Sequence, residues 1–141
     1  MDQDFIDRLQ LEWVKSPDTG DFWGGVDDWE DQSFELFFTA GEDGPSAEQV
    51  DRYNSLRDHL GTVIGQVDSR LRSYLVSLEA SSAEKWRNSP VELSIVSFYQ
   101  VGADADVDLC CRVSRRVLFF TRSIDFVAGL RDNQIVSFEV M

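Results

Sequence analysis

One apolar stripe of helical period dominates the middle of the chain and limits what the rest can fold into. Its members recur every three or four residues: Val50, Tyr53, Leu56, Leu60, Ile64, Val67, Leu71, Leu75 and Leu78. This spacing predicts an amphipathic α-helix over about Ala47–Glu79, with Ser46 as its N-cap. Such a helix would be about 50 Å long, at about 1.5 Å per residue. A compact domain of this size is narrower, so we expect Gly61 and Gly65 to bend or break the helix.

Short strands are predicted before the helix. Aromatic and β-branched residues mixed with polar ones predict strands at Leu9–Val14, Phe22–Val26 and Ser33–Thr39. The polar segment Asp27–Gln32 is predicted to be a hairpin loop in which Trp29 folds back over one face.

After the helix the hydrophobic pattern changes to period two. Strands are predicted at Val91–Gln100, Val107–Val113, Val117–Arg122, Ile124–Leu130 and Ile135–Val140. The links are too short for crossovers, so neighbouring strands should be antiparallel, with turns at Ser114–Arg116 and at Asp132–Asn133. The prediction is an α+β fold, an antiparallel sheet of about five to seven strands packed on one long helix, in the order ββ(β)-α-ββββ. Residues 1–141 are predicted to form a single domain.

Acidic residues are concentrated in the first part of the chain, whose formal net charge is −13. Residues 1–60 contain 16 Asp and Glu and 4 Lys and Arg, a net charge of −12, whereas residues 61–141 contain 10 and 9, a net charge of −1. This asymmetry disfavours nucleic acid, because the phosphates would be repelled. It favours either simple solubility or a basic protein partner reached by electrostatic steering.

Several features predict a soluble, cytoplasmic protein that does not bind membranes. The chain has no run of about 18 apolar residues, and its first residues, MDQDFIDRLQ, are acidic where a signal peptide would be basic. The neighbouring Cys110 and Cys111 would point to opposite faces of a strand. A disulfide between them would be strained, so free thiols in a reducing compartment are predicted.

The candidate site is the stretch DFWGGVDDWED, residues 21–31, in which five carboxylates and three aromatic rings surround a glycine pair. In one interpretation the two tryptophans cover the end of a small sheet and glycine lets the chain approach closely. In the other, the rings and carboxylates form a recognition patch for a cationic protein surface. The candidate partner-binding residues are Trp23, Asp27, Asp28, Trp29, Glu30 and Asp31. Neither the calcium-loop spacing nor a phosphate-binding glycine pattern is present, so no metal and no cofactor are predicted.

A different function class would use a cleft between helix and sheet, in a small-ligand-binding or hydrolytic domain. Its polar groups would be Asp58 and His59, or Cys111. His59 is the single histidine, so a catalytic triad or a two-histidine metal centre lacks its usual members. The protein is therefore predicted not to be an enzyme.

Four arginines form the basic cluster of the chain: Arg112, Arg115, Arg116 and Arg122. Arg115 and Arg116 should lie at a hairpin tip. We expect the cluster to pair with the acidic N-terminal region; an RNA-binding patch is the alternative.

Three stretches resemble a group of small bacterial domains of uncharacterised function. These stretches are RLQLEW…FWGGV, SFELFFTAGEDGPSAEQV and FVAGLRDNQIVSFEV. Several members of that group are immunity-like proteins that occur beside polymorphic toxins, so the resemblance implies this fold and a similar genomic setting and leaves the biochemistry open. The leading hypothesis is a protein that docks a basic partner such as a toxin nuclease domain. Members often carry an acidic residue followed by histidine before the last hairpin. Here Asp125 is followed by Phe126, so any role of that histidine is missing.

Overall fold

The computed structural model describes residues 1–18, 20–78, 80–99 and 105–141. The elements in these ranges are α1 (Gln3–Leu9), β1 (Glu12–Val14), β2 (Phe22–Trp29), β3 (Gln32–Thr39), α2 (Ala47–Leu78), α3 (Ala80–Lys85), β4 (Glu92–Phe98), β5 (Val107–Val117), β6 (Phe120–Arg131) and β7 (Gln134–Val140). The α+β class and the predicted order of strands, long helix and strands are confirmed.

The seven strands form one sheet in the order in which they follow one another along the chain. All neighbouring strands are antiparallel except β3 and β4, which are parallel. The predicted antiparallel sheet is confirmed apart from this pair, which is parallel because α2 carries the chain back to the end of the sheet at which β3 begins. Five antiparallel pairs and one parallel pair therefore make up the sheet.

One face of the sheet packs against the helices. On β3 this helix face carries the buried side chains of Phe34, Leu36 and Phe38, whereas Glu35 and Phe37 alternate onto the opposite, open face. The described core is one cluster that joins the helix face to α1 and α2. The open face carries no described helix, so its side chains are reachable from solvent.

The long helix runs from Ala47 to Leu78 without a break, so the glycines at 61 and 65 do not interrupt it. Its buried side chains follow the predicted stripe, except that Val63 replaces Ile64 and Leu78 is exposed. The helix is about 48 Å long at about 1.5 Å per residue. β5 and β6 match much of this length, since strands of 11 and 12 residues span about 40 Å at roughly 3.4 Å per residue.

The predicted N-terminal strand is shorter than expected, and an unpredicted helix, α1, precedes it. Leu9–Val14 was predicted to be a strand, but α1 occupies Gln3–Leu9 and β1 is limited to Glu12–Val14. The Asp2 side chain caps α1 by accepting a hydrogen bond from the Phe5 N–H at 3.0 Å. Both the cap and the spacing of the buried Phe5, Ile6 and Leu9 are readable in the sequence.

Two predicted turns are wrong because strands continue through them. β2 extends to Trp29, so Asp27–Gln32 is reduced to a two-residue turn in which Glu30 has φ 53°. β5 likewise continues through Ser114–Arg116, and the turn lies at Leu118–Phe119. In both strands a polar side chain of the kind common in loops contacts an aromatic residue outside the sheet: Asp27 contacts Tyr53, and Arg115 contacts Trp86. The turn at Asp132–Asn133 is confirmed, with φ values of 50° and 62°.

Replacing Gly65 by alanine tests the regularity of α2. A Cβ built at Gly65 meets no atom within 4 Å, and one built at Gly61 lies an ordinary 3.9 Å from the Trp29 ring. Gly65→Ala should raise the free energy of unfolding by about 1 kcal/mol, because alanine restricts the unfolded chain more than glycine does. Urea denaturation measures the change, with Gly61→Ala as the matched comparison. A loss of stability at Gly65 would contradict an undistorted helix there.

Candidate functional site

Strand alternation divides the six candidate residues between two faces of β2. Trp23 pairs with Phe38 and Asp27 pairs with Phe34, which places both, and Trp29, on the helix face. Asp28 alternates onto the open face. Glu30 and Asp31 occupy the exposed turn after it. The six residues therefore do not form one face.

Asp27 is held inside the molecule by α2. Its carboxylate accepts a hydrogen bond from the Tyr53 hydroxyl and lies 3.7 Å from Arg57 Nε. Burial, followed by the hydrogen bond to Asp27, raises the pKa of the Tyr53 hydroxyl. The phenol thus stays protonated and keeps donating at neutral pH. Asp27 joins β2 to α2 and is not available as a free docking charge.

The two tryptophans of the stretch are also committed to the fold. Trp23 Nε1 donates a hydrogen bond to the Gly41 carbonyl at 2.7 Å. The Trp29 ring lies over Gly61 on α2, and both rings are half-buried against the core. They cover the edge of the helix face, as the structural interpretation of this stretch predicts.

Of the glycine pair, Gly25 has a steric requirement for glycine. A Cβ built there would lie 2.7 Å from Leu11 Cδ2 and 3.1 Å from the Leu9 main-chain oxygen. The chain leaving α1 crosses directly over this point of β2, and a larger residue would force it away. At Gly24 the same Cβ would make ordinary contacts of 3.5 Å or more with phenylalanine rings. Gly25 is thus a packing residue.

Three carboxylates of the stretch do remain exposed together, and we call Asp28, Glu30 and Asp31 the acidic turn. Asp28 accepts a hydrogen bond from the Ser33 hydroxyl at 2.5 Å, across the hairpin. Its main-chain oxygen accepts a hydrogen bond from Arg57 Nη1 at 2.8 Å, which ties the turn to α2. The Asp28 carboxylate and main chain are therefore held in place, and the acidic turn puts three negative charges at one end of the sheet.

The exposed acidic residues of the first 60 positions lie on both sides of the sheet, with Glu12 and Glu35 on its open face and Asp51 and Asp58 on α2, which covers the other face. Fourteen of the sixteen acidic residues in 1–60 are exposed; Asp21 and Asp27 are half-buried. In the same region Arg52 pairs with Asp106 at 3.4 Å and Arg57 pairs with Asp27. Two of the four basic side chains are thus engaged within the molecule, and the outward field of this region is strongly negative.

In the part of the chain that the structure describes, three of the four later arginines contact residues outside positions 1–60. Arg112 pairs with Asp125 on the neighbouring strand at 2.6 Å, which lowers the pKa of the Asp125 carboxyl. The Arg115 guanidinium lies 5.1 Å from the centre of a Trp86 ring, and that of Arg122 lies 5.9 Å from the Phe120 ring centre. The described partners of these three therefore lie outside residues 1–60.

The residues of the alternative cleft are not brought together. His59 is exposed on α2, where its Nδ1 lies 2.8 Å from the Ser55 carbonyl oxygen. Cys111 is buried on the helix face of β5, and burial raises the pKa of its thiol to about 12. A thiol of this pKa is not a nucleophile at neutral pH. Cys110 and Cys111 are both free.

A small cleft does lie between α2 and the β6–β7 turn, with a volume of about 220 Å³ and walls that include Asp51, Arg52, Ser55, Asp106 and Asn133. Typical small-molecule sites have volumes of roughly 300–1,000 Å³. Asn133 Nδ2 donates to Ser55 Oγ at 2.9 Å across the cleft and closes part of it. Within the described ranges, no group of three or more His, Cys, Asp or Glu could hold a metal ion.

Sequence reasoning missed the residues that organise these surfaces. The hydrogen bond from Tyr53 to Asp27 joins residues 26 positions apart, so no local sequence pattern predicts it. Leu118, Phe119 and Phe120 were predicted to lie in a strand, but their side chains are exposed. The apolar run beside two arginines is the sequence signal that could have indicated an exposed patch.

None of the described helices is both long enough and apolar enough to cross a membrane.

Comparison with known proteins yields no match. No family model matches the chain, and neither a curated protein nor a solved structure matches it. Function is therefore inferred from the residues and their geometry.

Proposed function

We propose that this chain is a non-enzymatic, cytoplasmic protein-binding domain that docks a basic partner through its acidic N-terminal surface. An immunity-like protein that covers a basic toxin domain would act in this way. Nucleic acid and membranes are not its partners under this proposal, because both carry negative charge at their surfaces.

The observation that carries the proposal is the exposure of fourteen acidic side chains in residues 1–60 while Arg52 and Arg57 are engaged internally. A surface of one sign steers an oppositely charged partner and raises the association rate. Within the acidic turn Asp28 contributes a fixed charge, since its carboxylate is bonded to the Ser33 hydroxyl and its main chain to Arg57. Fixed charges lose less conformational entropy on binding than mobile ones.

The triple variant Asp28→Asn, Glu30→Gln, Asp31→Asn tests the acidic turn. If the neighbouring gene encodes a protein with a basic C-terminal domain, that purified domain is the probe. We expect affinity to fall about tenfold, mainly through a slower association rate, and the difference from wild type to shrink at high salt. Surface plasmon resonance at two ionic strengths measures both effects.

The matched control removes three carboxylates elsewhere: Glu84→Gln, Glu92→Gln and Glu139→Gln. These positions are exposed and lie outside residues 1–60. The control has the same net charge as the triple variant, so it should lose clearly less affinity. Equal losses in both variants, or no loss in either, would remove the acidic turn from the proposed docking surface.

A further inference from the structure

β5 and β6 project beyond the rest of the sheet as a two-stranded ribbon. The pairing of β4 with β5 begins at Glu92 and Arg112, and the pairing of β7 with β6 ends at Val140 and Phe126. Residues 113–117 and 120–124 are therefore paired with each other beyond both neighbours, within the described part of the chain. A projecting ribbon of this kind can enter a surface on another molecule.

The end of this ribbon is apolar and exposed. Leu118 is 79% exposed, Phe119 is 96% exposed and Phe120 is 53% exposed. The exposed Arg116 and Arg122 flank them, and we call these five residues the arginine-aromatic tip. Aromatic and arginine side chains are the types most enriched at the energetic centres of protein interfaces.

The turn at the tip is built from residues that do not suit it. Leu118 has φ 55° in a two-residue hairpin turn, where glycine, asparagine or aspartate is preferred. The β6–β7 turn of the same sheet does use Asp132 and Asn133 at such φ values. A leucine in the left-handed region is strained, and strain retained at an exposed position points to a use for the side chain.

The ribbon also carries an unbalanced positive charge. Arg115 and Arg122 lie directly opposite each other across the two strands, and like charges in that position are destabilising. Arg115 Nε is buried and has no hydrogen-bond partner in the described part of the chain. Carboxylates brought against the ribbon would offset this repulsion, so the fitting partner is acidic as well as apolar.

The chain itself offers a surface of that kind. An open groove of about 400 Å³ lies beside β1 on the open face of β2 and β3. Apolar side chains and two exposed carboxylates line it, and we call this set the acidic groove: Glu12, Val14, Phe22, Val26, Glu35 and Phe37. Val26 is 60% exposed, so the groove is open to a partner.

We propose that the arginine-aromatic tip of one copy docks into the acidic groove of a second copy of this chain. The leucine and phenylalanine side chains fill the apolar part, and Arg116 and Arg122 meet Glu12 and Glu35. Charge complementarity between the arginines of the tip and the glutamates of the groove selects this occupant. This local attraction opposes the general repulsion between two copies that each carry a net charge of −13, so association is expected at high protein concentration. The contact joins two different surfaces and is thus heterologous.

The first measurement is the oligomeric state of the full chain by sedimentation equilibrium, up to about 1 mM protein. We expect association that rises with protein concentration, since the tip of one copy and the groove of the next are both intact in every molecule. A chain that is monomeric throughout this range overturns the proposal. So does a monomeric chain that instead binds phosphatidylserine vesicles through Phe119, because the tip would then serve a lipid surface.

Two variants, alone and mixed, identify the contact. Phe119→Asp removes the most exposed apolar side chain of the tip, and the double variant Glu12→Lys, Glu35→Lys reverses the charge of the groove. Each variant should lower the association constant at least about thirtyfold. Mixed together they should form a one-to-one complex, because one intact tip still faces one intact groove. Failure of the mixture to associate, or unchanged association of Phe119→Asp, overturns the proposal.

Controls separate this contact from general effects. Val76→Asp introduces the same charge at another exposed apolar position on α2, and it should leave association unchanged. Leu118→Gly relieves the turn and removes a tip side chain, so it should raise the unfolding midpoint while weakening association. The acidic-turn triple variant retains every tip and groove residue and should still self-associate, which keeps this result separate from the proposed function.

Discussion

Replacing Gln49 by glutamate is expected to lower the free energy of unfolding by about 3–5 kcal/mol at pH 7. Gln49 is 1% exposed, and its Nε2 donates to the carbonyl oxygens of Thr39, at 2.9 Å, and Phe98, at 3.2 Å. These oxygens belong to the last residues of β3 and β4, the parallel pair of strands that α2 connects. A carboxylate of the same shape would place a buried negative charge against both oxygens and would have no hydrogen to donate to them.

The stability deficit of Gln49→Glu relative to wild type should depend on pH. Protonation of the introduced carboxyl restores one donor and removes the charge, so the deficit relative to wild type should shrink as the pH falls below neutrality and grow as it rises. Urea denaturation between pH 4 and pH 8 measures it. Gln49→Met is the control: it loses the donor without adding a charge, so its deficit should be smaller and independent of pH. Equal, pH-independent deficits would contradict this role of the side chain.

Gln49 also shows how far the sequence predicts the fold. Ser46 and Gln49 have the spacing of a capping box, and the two reciprocal hydrogen bonds, 2.9 and 3.1 Å, are present. The start of the helix could be predicted because everything it needs lies within four residues. The bonds to Thr39 and Phe98 depend on the parallel pairing of two strands separated by the whole of α2, which no local pattern contains.

The strand ends were misplaced for a similar reason. Asp27 and Arg115 resemble loop residues when only their sequence neighbours are considered. Each is accommodated by an aromatic residue on another element: the Tyr53 hydroxyl binds Asp27, and the Trp86 ring contacts Arg115. Propensity alone therefore ended both strands too early, and tertiary partners extended them.

The candidate site was predicted in composition but not in arrangement. Counting carboxylates located the excess of negative charge in residues 1–60, since the number of charges does not depend on the fold. Deciding which carboxylates share a face requires the strand bounds, because one residue of β2 points inward and the next outward. Once β2 includes Asp27 and Asp28, the two must separate, and Asp28, Glu30 and Asp31 remain as the exposed set.

Replacing Phe38 by alanine is expected to lower the free energy of unfolding by about 3–5 kcal/mol, a large share of the roughly 5–15 kcal/mol typical of a domain. The Phe38 side chain is fully buried. Its ring stacks on Phe98 at 4.8 Å between centres and meets the edges of Phe5 at 5.5 Å. Tyr53 lies 6.3 Å away on α2, so a cavity here would loosen β3, β4, α1 and α2 together.

The neighbouring phenylalanine provides the control for this prediction. Phe37 lies on the open face, is half-buried and makes an edge contact with Phe22 at 5.2 Å. Phe37→Ala removes the same atoms but leaves a site that water can fill, so it should cost clearly less, about 1–2 kcal/mol. Urea denaturation of both variants, with equal m-values to confirm a common unfolded state, measures the difference. A deficit at Phe37 as large as that at Phe38 would mean that both faces of β3 are packed as core, which is incompatible with an open face available to a partner.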